Sequence, residues 1–87
     1  MVMTEQEILA AFAEIVERFT GVPARQVDRG SDLADDLEID SLSLVEIIVS
    51  MQDTFSIEIP DEDLKELGNV QDVISYVQRA QRSGISA

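Results

Sequence analysis

The sequence predicts an all-α fold, a four-helix bundle of three main helices and one short third helix, with a long loop between the first two. Three observations carry this prediction. Apolar residues recur at helical spacing in three separate stretches, each preceded by a residue able to cap a helix start. Alternating apolar spacing occurs only in a brief link that runs into Pro60. The stretch between the first two helical patterns holds no period at all.

Thr4-Glu5-Gln6-Glu7 has the form of a capping box, in which the Thr hydroxyl accepts from the Glu7 backbone and the Glu7 carboxylate reaches back. Ile8, Phe12, Ile15, Val16 and Phe19 then share one helical face, and Gly21 and Pro23 stop the run. The first helix is placed at about 4–19. From Thr20 to about Glu38 the chain is a loop with Val22, Val27, Leu33 and Leu37 as isolated apolar anchors. Connections of this length are uncommon in small domains, and these anchors predict that the loop is packed down, with room for a short helical turn.

Asp40 suits the N-cap of a second helix running to about Phe55. Its apolar positions, Leu42, Leu44, Val45, Ile47, Ile48, Val49, Met51 and Phe55, cover more than one face. A stripe that wide means burial on two sides, or one face buried and another offered to partners. Ser56 to Pro60 reads as an extended link. Asp61 to Leu67 has room for about two turns with Leu64 and Leu67 facing in, and Gly68-Asn69 breaks the chain. Asn69 caps a last helix, with Asp72 in its first turn and Val70, Val73, Ile74 and Val77 at helical spacing. The whole chain, 1–87, is expected to form one domain, with 83–87 a frayed tail.

Composition narrows the function. The 87 residues include no cysteine and no histidine, so no disulfide, thiolate metal site, Ser-His-Asp triad or Cys-His pair can be built. No catalytic residue and no metal site are expected. An EF-hand loop does not fit either: from Asp28 the sixth position is Leu33 rather than Gly, and from Asp53 the third is Phe55. The longest apolar run, Ile8 to Ala13, is too short to span a bilayer, and the N-terminus lacks signal-peptide form. A cytoplasmic monomer is expected.

The net charge is −12, and its placement is uneven. Between Ser31 and Glu66 stand 12 acidic residues against one basic residue, Lys65. Phosphate-rich partners, nucleic acid and anionic membranes, are repelled by such a surface, whereas basic proteins are attracted to it.

Within that acidic segment lies DDLEIDSLSLVEI, residues 35–47. A serine before an apolar helix is ordinarily its cap. Here Asp40 fits the cap, so Ser41 falls at the first helical position with its side chain toward solvent. An exposed serine at a helix start suits a covalent phosphodiester, because the first-turn N–H groups and the helix dipole favour an added anion. With no base in the chain, another enzyme must install it. These features point to a carrier rather than a catalyst.

Asp40-Ser41-Leu42, followed by Ile59-Pro60-Asp61-Glu62 and the closing Val70, Val73 and Tyr76 pattern, resembles the acyl carrier proteins of dissociated fatty acid and polyketide synthases, in the form seen in actinobacteria. The resemblance runs from about Glu5 to Gln81. It implies that Ser41 receives 4′-phosphopantetheine from coenzyme A through a phosphopantetheinyl transferase, with Asp40 and Leu42 flanking the attachment, and that acyl groups ride as thioesters on the thiol of that arm. It further implies that Leu42, Val45, Glu46, Val49, Asp53 and Glu62 meet basic patches on ketosynthases, acyltransferases and reductases. An acyl cavity between the second and third helices would be lined by Ile48, Met51, Ile59, Leu64, Leu67 and Tyr76. The sequence departs from the family pattern at Glu38-Ile39, where Gly-Ala or Gly-Met is common, at Ser43, where Asp is common, and at Lys65.

Three alternatives stand beside this reading. Aminoacyl or peptidyl carriers usually have a less acidic second helix. A specialised starter-unit carrier of a secondary-metabolite pathway shares the same motif. An acidic helical interaction module would use Ser41 as a plain helix-start residue or a phosphosite.

Overall fold

The computed structural model describes residues 2–83. It contains α1 (Glu5–Thr20), α2 (Ser41–Phe55) and α3 (Val70–Ser83), with short 3₁₀ helices at Ala24–Gln26 and Asp61–Glu66. Expected and observed boundaries agree closely for the first two helices. The short third helix is of the 3₁₀ type, and a further 3₁₀ turn sits in the loop. Ser83 belongs to α3; the remainder of the expected tail, 84–87, lies outside the described residues.

α1 begins as its sequence requires. The Glu7 N–H donates to Thr4 Oγ1 at 3.1 Å and the Thr4 N–H donates to Glu7 Oε1 at 2.8 Å. It ends at Gly21, whose φ of 84° lets its N–H turn back to the Glu17 carbonyl at 2.9 Å. Ile8, Phe12, Ala13, Ile15 and Val16 face inward.

The long loop is stitched down. Val27, Leu33, Leu37 and Ile39 are buried in the core, while Val22 is half-buried against it. Main-chain bonds then tie the loop to the start of α3: Leu33 N–H to Gly68 O (3.1 Å), Val70 N–H to Ser31 O (3.0 Å) and Gln71 N–H to Arg29 O (2.8 Å). Asp32 and Asn69 form an antiparallel bridge there. Several loop acids serve turns: Asp32 Oδ1 accepts from Ala34 and Asp35, and Asp36 Oδ2 accepts from Asp32.

After α2, Ser56 takes a left-handed conformation, φ 55°. Gln52 holds the link that follows, accepting from the Ile57 N–H on its carbonyl (3.2 Å) and from the Ile59 N–H on its side-chain oxygen (2.8 Å). Ile57 and Ile59 point inward and Ser56, Glu58 and Pro60 outward. α3 opens with a reciprocal cap: Asp72 N–H donates to Asn69 Oδ1 at 2.9 Å and Asn69 N–H to Asp72 Oδ2 at 3.2 Å. Val70, Val73, Ile74 and Val77 are buried almost completely. At its far end Gln81 binds both the Phe55 carbonyl and the Met3 N–H, tying the end of α2 to the N-terminal segment.

All of these elements feed one apolar cluster. Each large side chain in it contributes about 1.5–3 kcal/mol through burial. Among the described residues, no buried side-chain nitrogen or oxygen lacks a hydrogen-bond partner.

Candidate functional site

The start of α2 is fixed from both sides. Buried Ile39 anchors the residue before the cap, and its N–H donates to the Leu33 carbonyl at 3.0 Å. Asp40 is extended at φ −87° and ψ 178°, its Oδ1 accepting the Ser43 N–H at 2.8 Å and its carbonyl the Leu44 N–H at 2.8 Å. The hydrogen bond from the Ser43 backbone, joined by one from the Ser43 hydroxyl, favours the ionised form and lowers the pKa of the Asp40 carboxyl from its ordinary value. Asp40 is therefore a fixed anion at the N-terminus of α2, where the helix dipole favours one.

Ser41 is the first residue of α2 and is exposed. Among the described residues its hydroxyl has no hydrogen-bond partner. With the cap filled by Asp40, the Ser41 oxygen is available to an incoming reagent.

Beyond Ser41, α2 divides into two faces. Ile47, Ile48, Met51 and Phe55 are buried in the core. Leu42, Val45 and Val49 lie at i, i+3 and i+7 with exposures of 72%, 54% and 60%, an apolar stripe in solvent. Glu46 and Asp53 are exposed on the same helix, and Glu62 is exposed on the short 3₁₀ helix. Of the two meanings of a wide apolar stripe, the structure displays the second: one face buried and one presented.

The six residues expected around an acyl chain fall into two groups. Ile48, Met51, Ile59 and Leu67 are buried in the core, whereas Leu64 and Tyr76 are half-buried against it. Tyr76 also lines a groove of about 470 Å³ between the segment 58–66 and α3. Its Oη donates to Asp63 Oδ2 at 2.6 Å and lies 3.5 Å from the Glu58 carbonyl. Partial burial first, and then the Asp63 carboxylate that accepts its proton, push the phenol up to about 12. The Arg79 guanidinium stands 5.9 Å over the ring.

Two parts of this arrangement escaped sequence reasoning. The hold of Ser43 on Asp40 was signalled only by its place three residues after the cap. The Tyr76–Asp63 bond joins residues 13 positions apart on different elements, and a polar-tipped aromatic at the edge of an apolar helix face was its one trace.

A family model described as a phosphopantetheine attachment site matches residues 10–77, a span that includes Ser41. An acyl carrier protein of Thermobifida fusca is 53% identical over 79 residues, covering 91% of this chain and all of that protein. The meromycolate extension acyl carrier protein of Mycolicibacterium smegmatis is 44% identical over 87 residues, covering all of this chain and 88% of that one. Among solved structures, the acyl carrier protein from Enterococcus faecalis superposes with a TM-score of 0.74 at 32% identity, over 90% of this chain and 99% of that one.

The chain belongs to the acyl carrier protein family.

It is a carrier whose prosthetic group is 4′-phosphopantetheine. The residues at the start of α2 fit that group: an exposed, unbonded hydroxyl stands beside first-turn amides, with the cap filled by another residue. When bound, the group supplies the thiol that this cysteine-free chain lacks. Among the described residues no helix of the carrier is long and apolar enough to cross a membrane.

Proposed function

We propose that Ser41 is the attachment residue and that the exposed face of α2 is where the enzymes served by this carrier dock. The observation that carries the first part is the Asp40 cap, which leaves the Ser41 oxygen exposed and free of hydrogen bonds. In the loading reaction the Ser41 oxygen attacks the pantetheine-side phosphorus of coenzyme A and 3′,5′-ADP departs. The serine proton passes to the phosphopantetheinyl transferase, because the carrier has no histidine or cysteine to take it. Asp40 and Leu42 frame the hydroxyl; Asp40 stays turned to the Ser43 amide and serves as a helix cap rather than a base.

Leu42, Val45 and Val49 offer desolvation energy, and Glu46, Asp53 and Glu62 offer steering toward basic patches on the transferase, ketosynthases and acyltransferases. In the same reading Ile48, Met51, Ile59, Leu64, Leu67 and Tyr76 line the space that shelters the acyl chain. The names of the mycobacterial relatives support acyl-chain extension as the class of pathway served.

The test is direct. The purified protein is incubated with coenzyme A and a broad-specificity phosphopantetheinyl transferase and then weighed. A single adduct on the wild type and none on Ser41→Ala is expected; an adduct on Ser41→Ala would place the attachment elsewhere.

A further inference from the structure

The segment Asp61–Glu66 is held differently from the rest of the fold. None of its residues is buried, and Pro60 before it provides no side-chain cap. Its bonds, such as Asp63 N–H to Pro60 O (2.9 Å) and Leu67 N–H to Leu64 O (3.1 Å), are those of 3₁₀ turns, whose alignment is poorer than in an α-helix. Instead of packing closely on α3 it leaves the 470 Å³ groove, with Glu58, Pro60, Asp63 and Glu66 on one wall and Tyr76 and Arg79 on the other.

Besides the long 3.5 Å contact from the Tyr76 hydroxyl to the Glu58 carbonyl, two side-chain links cross that groove among the described residues. Arg79 and Glu66 approach to 3.9 Å with side chains 66% and 51% exposed, which is an ion pair of small worth. The Tyr76 hydroxyl reaches Asp63 at 2.6 Å, a short bond to a charged acceptor and so the stronger of the two. Ile59 and Leu67 stand on either side of the segment and are buried at 4% and 7% exposure. Moving the segment between them would expose both to a chain, and Pro60 and Gly68 mark where it would pivot.

We propose that the Tyr76–Asp63 hydrogen bond is a latch: closed, it holds the segment 61–66 against α3, and its release uncovers Ile59, Leu64 and Leu67 to the acyl chain. Tyr76 is thus a positioning residue for cargo uptake. The inference rests on the reading that these three residues shelter the cargo. The phenol keeps its proton at neutral pH and so can donate to the Asp63 carboxylate, as it does in this structure. While the segment is shut the cargo cannot be taken up, so apparent affinity is reduced to the fraction of time it stands open, and weakening the latch lifts that penalty.

Amide hydrogen exchange on the full chain tests the latch without cargo, using the wild type, Tyr76→Phe, Asp63→Ala and the double variant. Tyr76→Phe is expected to speed exchange at Asp63 and Leu67 about tenfold while Val77 and the rest of α3 hold their rates. The double variant is expected to exchange no faster than Tyr76→Phe alone, since that change already removes the bond that Asp63→Ala removes. Additive effects, or acceleration spread evenly through α3, overturn the latch.

A second arm tests its purpose. The pantetheine-bearing protein is loaded with a decanoyl chain and its melting temperature compared with the unloaded form. A larger rise in Tyr76→Phe than in the wild type supports gated uptake, and an equal rise overturns it. If loading raises neither melting temperature, the sheltering reading fails, while the exchange result still decides the latch.

Discussion

The Asp40 carboxylate accepts the Ser43 N–H at 2.8 Å across the very residue, Ser41, whose hydroxyl is left unbonded. Capping and tethering are thereby divided between neighbours. Asp40→Ala is expected to lower the melting temperature, Asp40→Asn to lower it less, and Ser41→Ala to leave it nearly unchanged. The pH dependence has a definite sign. The carboxyl is depressed in the folded state, so its contribution is fully present above the ordinary aspartate value of about 3.9 and is lost as pH falls through the lower folded value. Thermal melts below about pH 4 should therefore fall more steeply for the wild type than for Asp40→Asn. Parallel slopes would show that the cap does not titrate.

Glu38, two residues before the cap, has φ 54°, a left-handed conformation that costs a non-glycine residue about 1–2 kcal/mol. Glycine relieves that strain but adds freedom to the unfolded chain, so Glu38→Gly is expected to raise stability by about 0.5–1 kcal/mol. Gly21, at φ 84°, is the mirror case, and Gly21→Ala should cost about 1 kcal/mol. Urea midpoints of the two variants check both signs.

The two faces of α2 make opposite demands. Met51 is 1% exposed, and Met51→Ala is expected to cost about 2–5 kcal/mol through lost burial and a residual cavity. Val49 is 60% exposed, and Val49→Ala should change stability by about 0.5 kcal/mol or less. Transfer assays with a cognate acyltransferase should reverse the order once Met51→Ala is kept below its melting point. Val49→Ala slows transfer because it removes docking area, whereas Met51→Ala leaves the docking face intact and acts only through the packing around the cargo.

The helices and the start of α2 were legible in the sequence because each is determined locally. Thr4 with Glu7, Asp40, and Asn69 with Asp72 announce their caps within four residues, and the structure forms all three. The loop anchors Val27, Leu33 and Leu37 were legible as isolated apolar residues in a polar stretch. The stitching of that loop to α3 was not, because main-chain pairing between Ser31 and Val70 leaves no mark on side-chain pattern. Periodicity alone left open which face of α2 would be exposed, since it shows that a helix has two apolar sides and not which one has a neighbour; the family resemblance pointed to Leu42, Val45 and Val49, and these are exposed. The 3₁₀ form of Asp61–Glu66 has the same cause: six residues are too few to display a period.

The acidic surface makes the last prediction. Glu46 stands on α2, the helix that carries the exposed stripe of Val45 and Val49, so Glu46→Lys turns attraction for a basic patch into repulsion. Transfer from an acyltransferase is expected to slow several-fold at low salt. The difference should shrink above about 0.15 M, where the screening length falls to about 8 Å. Circular dichroism should stay unchanged, because Glu46 is exposed. Glu14→Lys on α1 is the control: it alters net charge equally on an exposed residue outside the acidic segment. If the two variants slow transfer alike, total charge governs encounter; a loss confined to Glu46→Lys locates the docking face on α2.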